Sequence, residues 1–376
     1  RQIMARKKIM VVVGTRPEII RLAETIKKID QYFDLVVVHT GQNYDHNLNQ
    51  VFFDELELKA PDHYLDAPGG TLGETVGNII AKTYETMVQE KPDALLVLGD
   101  TNSCLSAYAA KRLKIPIFHM EAGNRCFDFN TPEEINRRVV DHLSDINMTY
   151  SDNAKQYLVS EGKTKDEVFV TGSPMTEIIH KYTAKIDESD ILGQLNIEPG
   201  KYFVVSLHRE ENLDVGNNFQ TVCNTLNAVA EKYNMPLIFS THPRTQKRIE
   251  SDGIEFNPLI TNMPAMGFFD YNKLQKNAYC TLSDSGTICE ESTIQHFPAV
   301  SVRTSQERPE GLDAGTLLLG GIEQDSMFDA IDIAVGTNNT TDEIMVRNYQ
   351  DTNVSDKVLR IIQSYIPIVN SRTWHK

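Results

Sequence analysis

Residues 119–138, HMEAGNRCFDFNTPEEINRR, crowd carboxylates, amides and guanidinium groups into the segment that follows an apolar, strand-like run. Open α/β sheets place ligands beyond the carboxyl ends of their strands, so this density of charge predicts part of a site rather than a decorated surface. Each acid in the region also has a plain structural reading. Glu121 follows directly on the buried run, where an unpaired charge is costly, and would then need a partner such as Arg125 or Arg137. Glu133 or Glu134 could serve only the dipole of a helix start. Asp100, in LGDTNS, could cap the helix that begins TNSCLSAYAAKRL.

Three turns elsewhere have the composition of anion sites. VGTRPEII (13–20) reads as strand, Gly-Thr turn and helix, with Pro17 near the first turn; it would aim free backbone amides and Arg16 at a ligand, or be a tight turn with a solvated arginine. It lacks the GxGxxG spacing, which argues against a nicotinamide dinucleotide. LSDSGTICEES (282–292) puts Gly286 and the hydroxyls of Ser285 and Thr287 between a strand and a helix. That combination suits a diphosphate, while Glu291, about one and a half turns further on, could accept both hydroxyls of a ribose. An ordinary N-cap with a surface glutamate is the alternative. QERPEGLDAGT (306–316) adds Arg308, and together these elements point to a nucleotide-diphosphate subsite.

The elements that must position these groups are legible from periodicity. KKIMVVVGTRPE, FDLVVVHTGQ, DALLVLGDTNS, IPIFHMEAG, INMTYSD and VFVTGSP read as buried parallel strands, separated by helical patterns such as the stripe of apolar residues at 19, 20, 22, 23, 26 and 29. After a polar stretch near AKIDESDILGQLNIEPGK a second series runs YFVVSLHREEN, MPLIFSTHP, NPLITN, AYCTLSDSGT and FPAVSVRT. Two βα series of similar length predict an α/β protein of two doubly wound, Rossmann-like domains facing a cleft. The expected boundaries are 1–173 and 174–354, with a C-terminal helix at about 355–376 returning to the first domain.

Composition excludes several classes. With 376 residues, 40% apolar and 24% charged, the chain is a globular type too long for one core. No apolar run reaches the length of a membrane span and no secretory pattern precedes the first strand, so the expected compartment is the cytoplasm. Five cysteines without CxxC spacing argue against a disulfide framework or a zinc site. A formal net charge of −15 disfavours nucleic acid as a partner and gives each arginine beside a turn more weight in holding an anion.

GTRPE, GDT, EAG, PEEINR, HREEN, SDSG, EE and ERPE occur in this order and spacing, and over residues 8–365 the chain resembles the non-hydrolysing UDP-N-acetylglucosamine 2-epimerases. The resemblance implies a GT-B type fold, a homodimer and a UDP-N-acetylhexosamine substrate held mainly by the C-terminal domain, while the missing dinucleotide and metal motifs lead to the expectation of no metal or other cofactor. It also implies chemistry for the opening stretch: UDP is eliminated to leave a 2-acetamidoglucal, then added back with a proton delivered to the other face of C2. The positions matching the family's acid/base groups are Asp100, Glu121 and Glu133, and crowded carboxylates raise one another's pKa, which keeps one protonated while another acts as base. His208 matches a histidine near the diphosphate. Arg16, Ser285, Gly286, Glu291 and Arg308 match positions that hold UDP, Tyr271 an aromatic position near the uracil, and Arg137 an arginine beside the sugar. Arg21 replaces a usual lysine.

Departures carry information as well. EAGNRCFDFN stands where typical members read EAGLRT, HREEN replaces HRREN, and GQNYDHNLN replaces a GQHRxML loop; the pattern resembles a sister branch that converts UDP-2-acetamido-2,6-dideoxy-L-talose to UDP-N-acetyl-L-fucosamine for surface polysaccharides. A UDP-GlcNAc 2-epimerase making UDP-ManNAc is the nearer alternative. In several bacterial members UDP-GlcNAc also activates from a second site; Gln42, Arg209, Glu211 and His242 match it here, whereas Asp45 replaces a glutamine and Asn78 an arginine. A GT-B glycosyltransferase or a non-catalytic nucleotide-sugar sensor would share the UDP residues but would not need three carboxylates around C2.

Overall fold

Short runs that are apolar at nearly every position form strands buried on both faces, as parallel sheets covered by helices require. In the computed structural model, which describes residues 5–41, 52–338 and 344–376, the chain divides into two units. The first comprises Arg1–Arg125, Glu133–Ile178 and Asp351–Lys376; the second comprises Cys126–Pro132 and Ile179–Gln350.

The first unit carries β1 (Lys8–Val13), β2 (Asp34–His39), β3 (His63–Tyr64), β4 (Ala94–Leu98), β5 (Ile117–Met120), β6 (Ile146–Thr149) and β7 (Val168–Val170). They form one parallel sheet in the order β3-β2-β1-β4-β5-β6-β7, whose direction of winding reverses between β1 and β4. Carboxyl ends beside such a switch point are where doubly wound sheets bind ligands. Register brings the ends together: Leu98 lies opposite Met120, and the Gly99 amide donates to the Met120 carbonyl at 3.0 Å. The helix Val354–Trp374 belongs to this unit. Its Ser355 hydroxyl donates to Glu177 at 2.9 Å, Asp356 pairs with Lys28 at 2.9 Å, and Tyr365 packs edge-on against Phe169.

The second unit repeats the plan with β8 (Phe203–Ser206), β9 (Leu237–Thr241), β10 (Ile260–Pro264), β11 (Cys280–Ser283), β12 (Ala299–Ser301) and β13 (Leu318–Leu319), ordered β10-β9-β8-β11-β12-β13. Here the switch lies between β8 and β11. The inward faces of β8, β9, β11 and β12 join the helices Asn218–Tyr233 and Gln324–Thr337 in one apolar cluster that includes Phe203, Phe219, Phe239 and Ile331. Both units are Rossmann-like, and the fold is α/β, two-domain and GT-B-like. Among the described residues no helix is long and apolar enough to cross a membrane.

Candidate active site

Glu121 is the first residue beyond β5. It is buried, and its backbone sits in the left-handed region at φ 57°, which costs a residue with a Cβ about 1–3 kcal/mol. Its carboxylate pairs with Arg21 of the helix Arg16–Tyr32, a partner that the sequence did not suggest. Of the two arginines the sequence suggested, Arg125 Nη1 donates to Asp141 at 2.7 Å, and Arg137 Nε donates to Asp100 at 3.0 Å. Asp100 ends the β4 turn, and a Cβ built on neighbouring Gly99 would lie 3.9 Å from the Glu121 carboxylate. The switch point therefore brings two acids and two arginines side by side.

The cap position of the following helical segment falls one residue beyond Asp100. The N-cap of the turn Asn102–Leu105 is Thr101, without a side-chain cap bond. Asp100 is instead held by Arg137 through its side chain and by Asn136 Nδ2, 2.9 Å from its carbonyl. Glu133 and Glu134 both lie in the first turn of the helix Pro132–Leu143. Glu134 is fully buried and pairs with Arg137 at 3.4 Å and Arg138 at 3.5 Å, which fits a structural acid; Glu133 is half-buried.

The turn that precedes Arg16 is not an open anion nest. Glu18 Oε2 accepts from the Gly14 and Thr15 amides, both at 2.7 Å, and Thr15 caps the helix reciprocally, so the turn's amides are engaged within the protein. Glu18 Oε1 accepts from the Thr101 hydroxyl at 2.5 Å, tying this turn to the Asp100 loop. Burial, the largest influence, pushes the Glu18 carboxyl above its ordinary range despite these donors. Gly14 is required by close approach, since a Cβ there would fall 2.0 Å from Ser103 Oγ. Sequence reasoning missed Glu18; the T-x-x-E spacing of a capping box was the available signal. Arg16 is exposed, its guanidinium 5.3 Å from the centre of the Phe52 ring.

In the second unit the partners of His208, Ser285, Gly286 and Arg308 meet at the β8/β11 switch. Asp284, fully buried, accepts from the His208 amide at 3.0 Å, the Arg209 amide at 2.9 Å and Asn212 Nδ2 at 3.1 Å. It latches the HREEN segment to the SDSG loop, a role the sequence did not disclose. The exposed His208 ring has Nε2 3.7 Å from Asp284 Oδ1. His242 caps the helix Pro243–Asp252, and burial, then neighbouring His208 and Arg244, push its imidazole pKa down.

Ser285 Oγ lies 2.9 Å from Thr287 Oγ1 and accepts from the Thr287 amide at 3.3 Å. A Cβ on Gly286 would meet Glu307 Oε1 at 2.5 Å and Arg209 Nη2 at 3.2 Å, so any larger residue would have to displace that buried ion pair. Arg308 is buried, donating to the Gly286 carbonyl and pairing with Glu290 at 2.6 Å; it braces the loop. Glu291 lies in the first turn of the helix Ile288–Gln295, closer to its start than the sequence suggested, and it is not a surface acid. Gln275 donates to it, and burial, followed by the Glu291 charge, holds the Tyr271 hydroxyl above the usual tyrosine range.

Of the residues matched to an effector site, Gln42 and Asp45 lie outside the described residues. Arg209 is tied to Glu307 at 3.0 Å, Glu211 to Arg303 at 3.1 Å, and Asn78 Nδ2 donates to the Ala67 carbonyl at 2.9 Å.

The sequence pattern of a family described as UDP-N-acetylglucosamine 2-epimerase matches residues 26–363. The chain is similar to the structure of UDP-N-acetylglucosamine 2-epimerase from Rickettsia bellii, at 44% identity and TM-score 0.91 over 99% of this chain and 100% of that one. It is similar to the Methanocaldococcus jannaschii UDP-GlcNAc 2-epimerase crystallised in complex with UDP-GlcNAc and UDP, at 32% identity and TM-score 0.88 over 95% and 99% of the two chains. UDP-2,3-diacetamido-2,3-dideoxy-D-glucuronate 2-epimerase of Pseudomonas aeruginosa is 32% identical over 333 residues, 88% of this chain and 92% of that protein.

Proposed function

This chain belongs to the UDP-N-acetylglucosamine 2-epimerase family, and on that premise we propose that it is an isomerase inverting C2 of a UDP-N-acetylhexosamine. In this reading a carboxylate takes the C2 proton as the C1–oxygen bond to UDP breaks, leaving a C1=C2 double bond in a 2-acetamidoglucal and free UDP. Readdition of UDP to C1, with a proton delivered to the opposite face of C2, completes the inversion. Asp100, Glu121 and Glu133 are assigned the proton transfers, and Arg21 and Arg137 hold two of these acids in place. His208 steadies the diphosphate as it leaves. Arg16, Ser285 and Gly286 are assigned to the diphosphate, with Arg308 bracing the loop, while Glu291 and Tyr271 are assigned to the nucleoside. The observation that carries the reading is Glu121: a buried acid on a strained, left-handed backbone, beside Asp100 at a switch point. Such strain persists only where the surroundings impose it, and it concentrates at working sites.

For the sugar we propose the 6-deoxy-L-talo substrate, on the strength of EAGNRCFDFN and GQNYDHNLN in place of the usual segments. UDP-GlcNAc is the competing substrate. Incubating the protein with each UDP-sugar separately, without any acceptor, and identifying the C2 epimer by NMR tests both levels. Turnover of the 6-deoxy-L-talo sugar at a kcat/KM at least about tenfold above UDP-GlcNAc supports the assignment, and the reverse order assigns UDP-GlcNAc. Absence of any epimer from either sugar removes both substrate assignments.

A further inference from the structure

We propose that His119 and Asp141 are positioning residues that form a buried brace joining the three acid-bearing segments. The proposal rests on the reading of Asp100, Glu121 and Glu133 as the acid/base groups. His119 lies in β5, two residues before Glu121, and is fully buried. Its Nε2 is 2.7 Å from the carbonyl of Gly99, the residue before Asp100. A carbonyl only accepts, so Nε2 carries a hydrogen. Its Nδ1 is 2.8 Å from Asp141 Oδ1. Asp141, also fully buried, sits on the helix Pro132–Leu143, two turns beyond Glu133 and one turn beyond Arg137.

The second carboxylate oxygen of Asp141 accepts from the Gly123 amide at 3.1 Å and from Arg125 Nη1 at 2.7 Å. Gly123 closes the turn that holds Glu121. It has φ 81°, and a Cβ there would meet the Ala154 carbonyl at 2.4 Å, so the turn packs too closely for any side chain at this position. Arg125 continues outward to Glu161 at 3.0 Å. One imidazole and one carboxylate thus touch the Asp100 loop, the Glu121 turn and the Glu133 helix at once. Burial, the largest influence on Asp141, would raise its carboxyl, yet His119 and Arg125 outweigh it and hold the group below the usual range.

A brace of this kind acts on geometry. Displacing a reacting group by about 1 Å can cost about 10²-fold in rate. The test compares Asp141→Asn, His119→Asn and His119→Gln in the full chain, assayed at a temperature where circular dichroism shows each variant fully folded. Asp141→Asn and His119→Asn are expected to lower kcat about 10- to 100-fold, with KM and UDP affinity within about threefold of wild type. His119→Gln, whose amide reaches the Gly99 carbonyl, is expected to recover at least about tenfold over His119→Asn. A folded variant pair with wild-type kcat overturns the brace, and so does a loss that falls equally on UDP affinity. If Asp141→Asn does not fold, the two His119 variants decide by the same criteria. Asp100→Asn and Glu121→Gln run alongside. If they retain turnover, the acid/base reading itself has failed; if they lose turnover while the brace variants keep it, the brace alone has failed.

Discussion

Glu121 illustrates what a single residue reveals and conceals. Its position after a buried run was readable, and so was its need for a partner. The partner was not. Arg125 and Arg137 are near in sequence, whereas Arg21 reaches it across one hundred residues because the parallel sheet sets the ends of β1, β4 and β5 in one row. Spacing along a chain reports neighbours on one element, whereas parallel sheets juxtapose residues far apart in sequence. Glu121→Gln and Asp100→Asn are each expected to lower turnover by at least about 10²-fold while leaving UDP affinity nearly unchanged, checked by steady-state kinetics and calorimetry. Near-normal turnover would return the residue to a structural role. Asp141 gives a pH prediction of definite sign. Its folded pKa lies below the ordinary 3.8, so its stabilising contribution is fully present above that value and is lost as pH falls through the folded pKa. Urea unfolding of wild type and Asp141→Asn should therefore converge as the pH is lowered below about 3.8 and stay apart at pH 7.

At the scale of elements, strands of four to six apolar residues were legible because their composition fits a covered parallel sheet. β3 and β13, two residues each, were not, since so short a pairing has no period to read. The glycine turns were legible as turns, but their occupancy was not. The first looked like a nest of free amides and proved to be filled by Glu18. Asp284 likewise emerged as a latch only once β8 and β11 were adjacent. Gly286 marks the second turn as a place of forced close approach. Gly286→Ala should destabilise the fold by about 1–3 kcal/mol, because its Cβ must displace Glu307 or Arg209, and should weaken UDP binding by distorting the loop. Chemical unfolding with UDP titration checks this, and unchanged values in both would contradict the packing argument.

For the whole molecule, periodicity indicated two doubly wound units, while the function came from motif resemblance and from the family match. The −15 charge makes any second anionic ligand dependent on local cations. Replacing a glutamine by Asp45 and an arginine by Asn78 moves a matched effector site about two charge units against a diphosphate. UDP-GlcNAc is therefore expected not to activate the enzyme in either direction; a sigmoidal rise in rate on titrating it into the reverse assay would contradict this. Inversion of C2 by proton transfer through an eliminated intermediate exposes that carbon to solvent protons. The most direct measurement is the reaction in D₂O without added nicotinamide or metal, followed by mass and NMR analysis of the epimer. Solvent deuterium is expected at C2 of the product, and retention of the original C2 hydrogen would rule out the eliminated intermediate.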